Sequence, residues 1–328
     1  MPKVSVIIPI FQAEAYIERC VRSLFCQTLD GVEYIFIDDC SPDQSMKILD
    51  MLIEEYHERI VEMSWVIRIE KMPINRGQAA VRRYGMQLAT GDYVIQCDSD
   101  DWVEESMLNE MWNKASKEGL GVVICDFYHD RANKSKYHKG IRSSDPDEIF
   151  YDVLSSKSWW NLWNKMFHRK TFEENDIIYP QKGMNMGEDM LLTVQMLFYC
   201  MNNGKIGYVN KAFYHYCDNQ NSITHQFSAD QVLRNTLQWR KNIYSLERFI
   251  NRNNPSKRAK DIVLWLKYSA KRRISPFIEE KKYALVWRML FKEINFIILF
   301  CPMLPRRRKW TYCKTYIKTL YIIYRNTN

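Results

Sequence analysis

Residues 92–102 read DYVIQCDSDDW, an apolar run rich in strand formers followed by three carboxylates, Asp98, Asp100 and Asp101, within four positions. The first half predicts a strand buried on both faces. The second half is costly, because like charges about 6 Å apart at an effective dielectric of about 20 repel by about 3 kcal/mol per pair. A helix cap accounts for only one of the three: Asp101-x-x-Glu104 has capping spacing, and a cap needs a single carboxylate. An EF-hand loop starting at Asp98 would want an oxygen ligand where Trp102 stands and glycine where Val103 stands. A divalent ion, Mn²⁺ or Mg²⁺, that holds a diphosphate fits better. Such an ion takes one or two carboxylates from the protein and completes its shell with phosphate oxygens and water.

The flanking sequence alternates strand-like and helix-like runs. KVSVIIPI (3–10), VEYIFID (32–38), WVIRIE (65–70) and GVVICDF (121–127) predict strands. Ile17, Val21, Leu24 and Phe25 share one helical face, and Ile48, Leu49, Leu52, Ile53 and Tyr56 share another. Ser41, Pro42 and Gln44 have the spacing of a capped start for that second helix. GQAAVRRYGMQLAT (77–90) predicts a third helix, and Met107, Leu108, Met111, Trp112 and Ala115 mark a fourth. The alternation predicts an α/β fold with a mostly parallel sheet covered by helices on both faces. Ligands in such folds bind beyond the carboxyl ends of the strands, the edge where Pro9, Asp38, Asp39, Asn75 and the 98–101 carboxylates fall.

A chain of 328 residues with 46% hydrophobic and 26% charged residues can bury a core, which excludes global disorder. Its net charge of +8 is unevenly spread. Residues 1–230 carry 24 Lys and Arg against 34 Asp and Glu, a net −10, whereas residues 231–328 carry 23 against 5, a net +18. The basic part suits phosphate, and in the absence of any nucleic-acid motif an anionic membrane surface is the expected partner, with no nucleic acid. INFIILFCPML (294–304) contains Asn295 and Pro302 and falls short of the roughly 18–20 apolar residues that span a bilayer. Nine scattered cysteines without a Cys-x-x-Cys pair argue against zinc or a disulfide framework. MPKVSVIIPIF is too short an apolar run for a signal peptide, so the expected location is cytoplasmic, peripheral on the cytoplasmic face of the inner membrane.

Residues 1–225 resemble a family 2 glycosyltransferase with the GT-A fold, and 226–328 form a helical basic region. The resemblance rests on VSVIIPIFQAEAYIERCVRSLFCQTL, IDDCSPDQS, NRGQAAVRRYG, ATGDYVIQCDSDDW and GEDMLL, in that order. It implies that Asp39 meets the nucleotide base, commonly uracil, with Pro9, Asn75 and Arg82 on the donor side. Asp98 and Asp100 would lie by the ribose and metal, and Asp101 would be the direct metal ligand. Arg83 departs from the pattern, which often has Asn there. Asp189 would be the general base. Glu188, Trp163 and Lys165 would lie on the acceptor or phosphate side, although the tryptophans at 159, 160 and 163 also read as core aromatics. His215 is a candidate further metal ligand, against a structural role.

The expected activity is metal-dependent, inverting transfer of a sugar from a nucleotide-diphospho-sugar, a UDP-sugar, to a glycan or lipid-linked acceptor in surface-polysaccharide synthesis. Two rivals are a sugar nucleotidyltransferase and a non-catalytic nucleotide-sugar-binding subunit. The first resembles proteins with a Gly-rich, Arg-containing loop after the first strand, where this chain has PIFQAEAYI. The second is disfavoured by retention of both the carboxylate triad and GED.

Overall fold

The β-branched runs form the strands that their composition predicts. A computed structural model describes residues 1–131, 134–181, 183–202, 205–219, 229–254 and 256–272. The strands are β1 (Val4–Ile10), β2 (Val32–Asp38), β3 (Val66–Lys71), β4 (Tyr93–Gln96), β5 (Trp102–Val103), β6 (Val122–Arg131), β7 (Lys134–His138), β8 (Lys165–His168) and β9 (Ile206–Cys217). They make one sheet in the order β3-β2-β1-β4-β8-β6-β9-β5, with β7 added to β6. The half β3-β2-β1-β4 is parallel throughout. Beyond it, β8 runs antiparallel to both β4 and β6, while β9 lies parallel to β6.

Both faces are covered, because alternate residues of the same strand meet different helices. On one face Val6, Ile8, Tyr34 and Phe36 pack with Ile17, Val21, Leu24 and Phe25 of α1 (Ile17–Phe25) and with Leu49 and Leu52 of α2 (Ser45–Glu55). Phe25 anchors this layer, with ring centroids 5.6 Å from Tyr34 and 6.2 Å from Trp65. A short α3 (His57–Glu62) leads into β3. On the other face Ile7, Ile35 and Ile37 meet Val81 and Met86 of α4 (Gln78–Leu88). A Cβ at Gly85 would lie 2.4 Å from Ile7 Cγ2, so the close seat of α4 on β1 requires glycine there.

One local expectation and one alternative reading fail for identifiable reasons. The Ser41 capping box does not form: α2 starts at Ser45, and Asp43 instead accepts from the Ser45 N–H at 3.1 Å and the Ser41 hydroxyl at 2.7 Å. Asp101 caps nothing, because β5 intervenes and α5 (Met107–Glu118) begins after Ser106.

The remaining helices are α6 (Pro146–Leu154), α7 (Lys170–Glu173), α8 (Glu188–Met201), α9 (Ala229–Asn253) and α10 (Lys257–Arg272). Asp145 caps α6, accepting from the N–H groups of Asp147 and Glu148, with Pro146 in the first turn. The chain divides into units Met1–Ser222 and Ile223–Asn328. In the second, Ile243, Leu246 and Phe249 of α9 and Ile262, Val263 and Leu266 of α10 are buried, and Glu247 pairs with Lys267. The basic stretch beyond residue 272, including 294–304, lies outside the described residues. Among the described residues, no helix is long and apolar enough to cross a membrane.

Candidate active site

The parallel strands deliver their acidic ends to one edge. Asp39, just past β2, is 3% exposed. Its Oδ1 accepts from the Arg76 N–H at 2.7 Å and its Oδ2 from the Gly77 N–H at 2.8 Å, while Asn75 Nδ2 donates to its carbonyl at 3.2 Å. Burial pushes the Asp39 carboxyl up and these two N–H groups pull it back. Gly77 adopts φ +80° and ψ 158°, and a Cβ there would meet Asn185 Nδ2 at 2.3 Å. Only glycine suits that backbone. Pro9 lies one strand over, in register with Ile37.

The three crowded carboxylates have three different surroundings. Asp98 Oδ1 accepts from Arg82 Nη2 at 2.6 Å and from Gln78 Nε2 at 3.1 Å, and its own N–H donates to the Tyr214 hydroxyl at 3.0 Å. Asp100 is partly exposed; its Oδ2 accepts from Asn219 Nδ2 at 2.9 Å, and Arg19 Nη2 donates to its carbonyl at 3.3 Å. Burial and the neighbouring Asp98 charge raise its carboxyl. Asp101 is fully buried, with Oδ2 accepting from the Tyr214 hydroxyl at 2.7 Å and Oδ1 from the Cys217 N–H at 2.8 Å. Burial, then the charges of Asp100 and Asp98, push Asp101 well above the usual carboxylate range. The expectation that Asp101 is the direct metal ligand therefore meets a carboxylate enclosed by β9, with both oxygens engaged.

Arg82 joins this turn to the second acidic motif. One nitrogen of its guanidinium reaches Asp98 and another reaches Glu188, and both Arg82 and Glu188 are buried. Glu188 thus holds Arg82 from a buried position. Burial and the adjacent Asp189 raise Glu188, and Arg82 opposes that rise. Asp189, in the first turn of α8, is less enclosed than Glu188 and accepts from the Met190 N–H at 2.8 Å. Its carboxyl is also raised by burial, with the Met190 N–H and the charges of Arg82 and Lys165 pulling the other way.

Three further expectations are corrected. Lys165 does not meet phosphate: it is fully buried and spends its donors on the Trp159 carbonyl at 3.2 Å, the Asn161 carbonyl at 2.6 Å and Asn164 Oδ1 at 2.8 Å. Trp163 is core, stacked on Tyr214 at 4.1 Å between ring centroids. His215 lies between two carboxylates, Nδ1 at 2.9 Å from Asp130 and Nε2 at 3.1 Å from Glu104, and its ring stacks on Trp102 at 3.5 Å. Both ring nitrogens are thus within hydrogen-bond reach of a carboxylate.

Not anticipated from the sequence are Gln78, Tyr214, Cys217 and Asn219, which hold the 98–101 turn. The alternation in FYHYC (213–217) was the available sign of the last strand; its pairing partner, 113 positions from Asp101 in the case of Tyr214, was not. Among the described residues, no three His, Cys, Asp or Glu side chains converge as a metal cage. Asp100, partly exposed and under the charge of Asp98, fits the kind of site in which one carboxylate shares a cation with a diphosphate.

Residues 5–192 match the model of Glycosyl transferase family 2, and the chain belongs to that family. EpsH of Bacillus subtilis, a putative glycosyltransferase, is 29% identical over 232 residues, 69% of this chain and 64% of EpsH, so the match spans less than two thirds of that relative. TarS residues 1–349 from S. aureus, solved with UDP, superimpose with a TM-score of 0.64 at 18% identity, covering 99% of this chain and 92% of that one. The mannosyltransferase PcManGT from Pyrobaculum calidifontis, solved with GDP-Man and Mn²⁺, gives 0.53 at 14% identity, covering 99% and 87%. These structural likenesses are of fold, and the fold is GT-A, as expected.

Proposed function

We propose that this protein transfers a sugar, with inversion, from a UDP-sugar to a hydroxyl of a glycan or lipid-linked acceptor in surface-polysaccharide synthesis. The observation that carries the reading is the Arg82 bridge, which fixes the donor-side carboxylate Asp98 and the Glu188-Asp189 motif against one guanidinium. A bound nucleotide diphosphate and an acceptor base would then share one strand edge.

Each residue then has a task its surroundings suit. Asp39 has two of its roughly four lone-pair sites taken by backbone N–H groups, which leaves capacity for the N3–H of uracil. The UDP bound by TarS supports that choice of base. Asp189 takes the acceptor hydroxyl's proton as that oxygen attacks the anomeric carbon on the side opposite the departing diphosphate. Burial raises its proton affinity, which improves it as a base. Asp100 is the residue placed to hold a divalent cation, which when bound would neutralise charge on the leaving diphosphate; the Mn²⁺ of PcManGT supports manganese.

The test is Asp189→Asn, which preserves shape and removes the base. Transfer from UDP-sugar is expected to fall by about 10² to 10⁴, while UDP binding by calorimetry stays at the wild-type value. Transfer at the wild-type rate would remove the base assignment, and loss of UDP binding would place Asp189 on the donor instead.

A further inference from the structure

One cavity in the first unit lies away from the carboxylate edge. It has a volume of about 520 Å³ and lies against the outward face of α4, between the end of β3 and Pro180, Gln181 and Gly183. That volume is in the range of small-molecule sites, roughly 300–1,000 Å³. At 3.6 residues per turn, Gln78 and Arg82 face Asp98, while Ala80, Arg83 and Gln87 lie on the other side of the helix and line the cavity, joined by Arg76 from the turn before it. One helix therefore separates the two places and contributes an arginine to each.

The lining is polarised. Lys71, Arg76 and Arg83 supply positive charge over a floor that includes Met72, Pro73 and Pro180, and no carboxylate is among the described lining residues. Lys71 is only loosely paired, 3.8 Å from Asp38. Arg83 is exposed, its guanidinium held over the Tyr179 ring at 4.6 Å. Arg76 Nε is buried with no hydrogen-bond partner. The guanidinium groups that line the cavity can give an oxyanion charge-assisted hydrogen bonds. Two guanidiniums and an ammonium around an apolar floor fit a phosphodiester with a carbon backbone better than a neutral sugar.

We propose that this cavity is a phosphate-binding subsite, separate from the donor site, that grips a phosphodiester group borne by the acceptor. Its role toward an acceptor rests on the transferase reading, but its binding of phosphodiester does not. It touches the catalytic edge at two points. The Arg76 main chain donates to Asp39, and the wall formed by Gln181 and Gly183 runs within six residues into Asp189. An anchored phosphate would thus hold the acceptor chain beside the segment that leads into α8 and Asp189.

The experiment is residue-resolved labelling of arginines by phenylglyoxal, read by mass spectrometry on the full chain saturated with UDP. Local labelling separates this cavity from the basic C-terminal sequence. An oligomer of glycerol phosphate is expected to slow Arg83 labelling about tenfold, equivalent to about 1.4 kcal/mol, whereas uncharged polyglycerol leaves it unchanged. Arg131, exposed on β6, should label at the same rate throughout. In Arg83→Gln, UDP affinity should persist while protection of Arg76 by the oligomer is lost. Protection by phosphatidylglycerol vesicles but not by the oligomer would still support the phosphate site and assign it to a lipid headgroup. Unchanged Arg83 labelling with both phosphate probes overturns the proposal. Protection by UDP alone overturns it too, because the cavity would then belong to the donor.

Discussion

Arg82 works because it is shared. Removing the guanidinium leaves two carboxylates, one of them fully enclosed, without their common counter-charge, and breaking such a buried pair costs about 3–5 kcal/mol. Arg82→Met is therefore expected to lose about that much stability in urea denaturation, and a loss under about 1 kcal/mol would show that solvent replaces the guanidinium. Lys165 acts on Asp189 through charge. Burial lowers its own pKa to about 7, so it is charged mainly below that pH, where its field favours the Asp189 carboxylate. Removing the charge lets the Asp189 pKa rise further, so the base is lost at a higher pH as acid is added. Lys165→Met should accordingly move the acidic limb of the kcat/KM profile to higher pH, and an unmoved limb would make Lys165 merely a tie between Trp159, Asn161 and Asn164.

At the scale of elements, the turn between β3 and α4 decides how Asp39 is presented. Gly77→Ala would place a Cβ on Asn185 and strain a backbone suited to glycine, so UDP affinity in calorimetry should fall together with melting temperature. A change in stability alone would separate the turn from the nucleotide. The strands of the parallel half were legible because their β-branched runs are long and their faces are covered by local helices. The carboxylate edge was legible because all its acids sit at predicted strand ends. The cap spacing at Asp101 was a coincidence of sequence because a two-residue strand has no period to detect, and the Ser41 capping box failed because Glu14, from elsewhere in the chain, takes the Gln44 N–H. Lys165 and Trp163 were placed on the acceptor side by motif position, whereas burial, a tertiary property, sends both inward.

For the molecule as a whole, the charge division of −10 and +18 implies a place of work as well as a reaction. We propose that the basic C-terminal sequence holds the enzyme at an anionic membrane surface. Full-length protein should then sediment with phosphatidylglycerol vesicles at low salt and be released as ionic strength rises, since attraction beyond a Debye length of about 8 Å is screened at physiological salt. Failure to sediment at low salt would end that proposal. The β9 latch bears on how the protein comes into being. Tyr214, Cys217 and Asn219, which hold the 98–101 turn, lie beyond residue 192, where the family match ends. During synthesis every hallmark motif leaves the ribosome before the strand that fixes the metal-side turn. A fragment cut at that family boundary would retain all the recognisable motifs yet lack both donors to Asp101 and the strand that encloses it, so the 98–101 turn reaches its final form only after β9 is made.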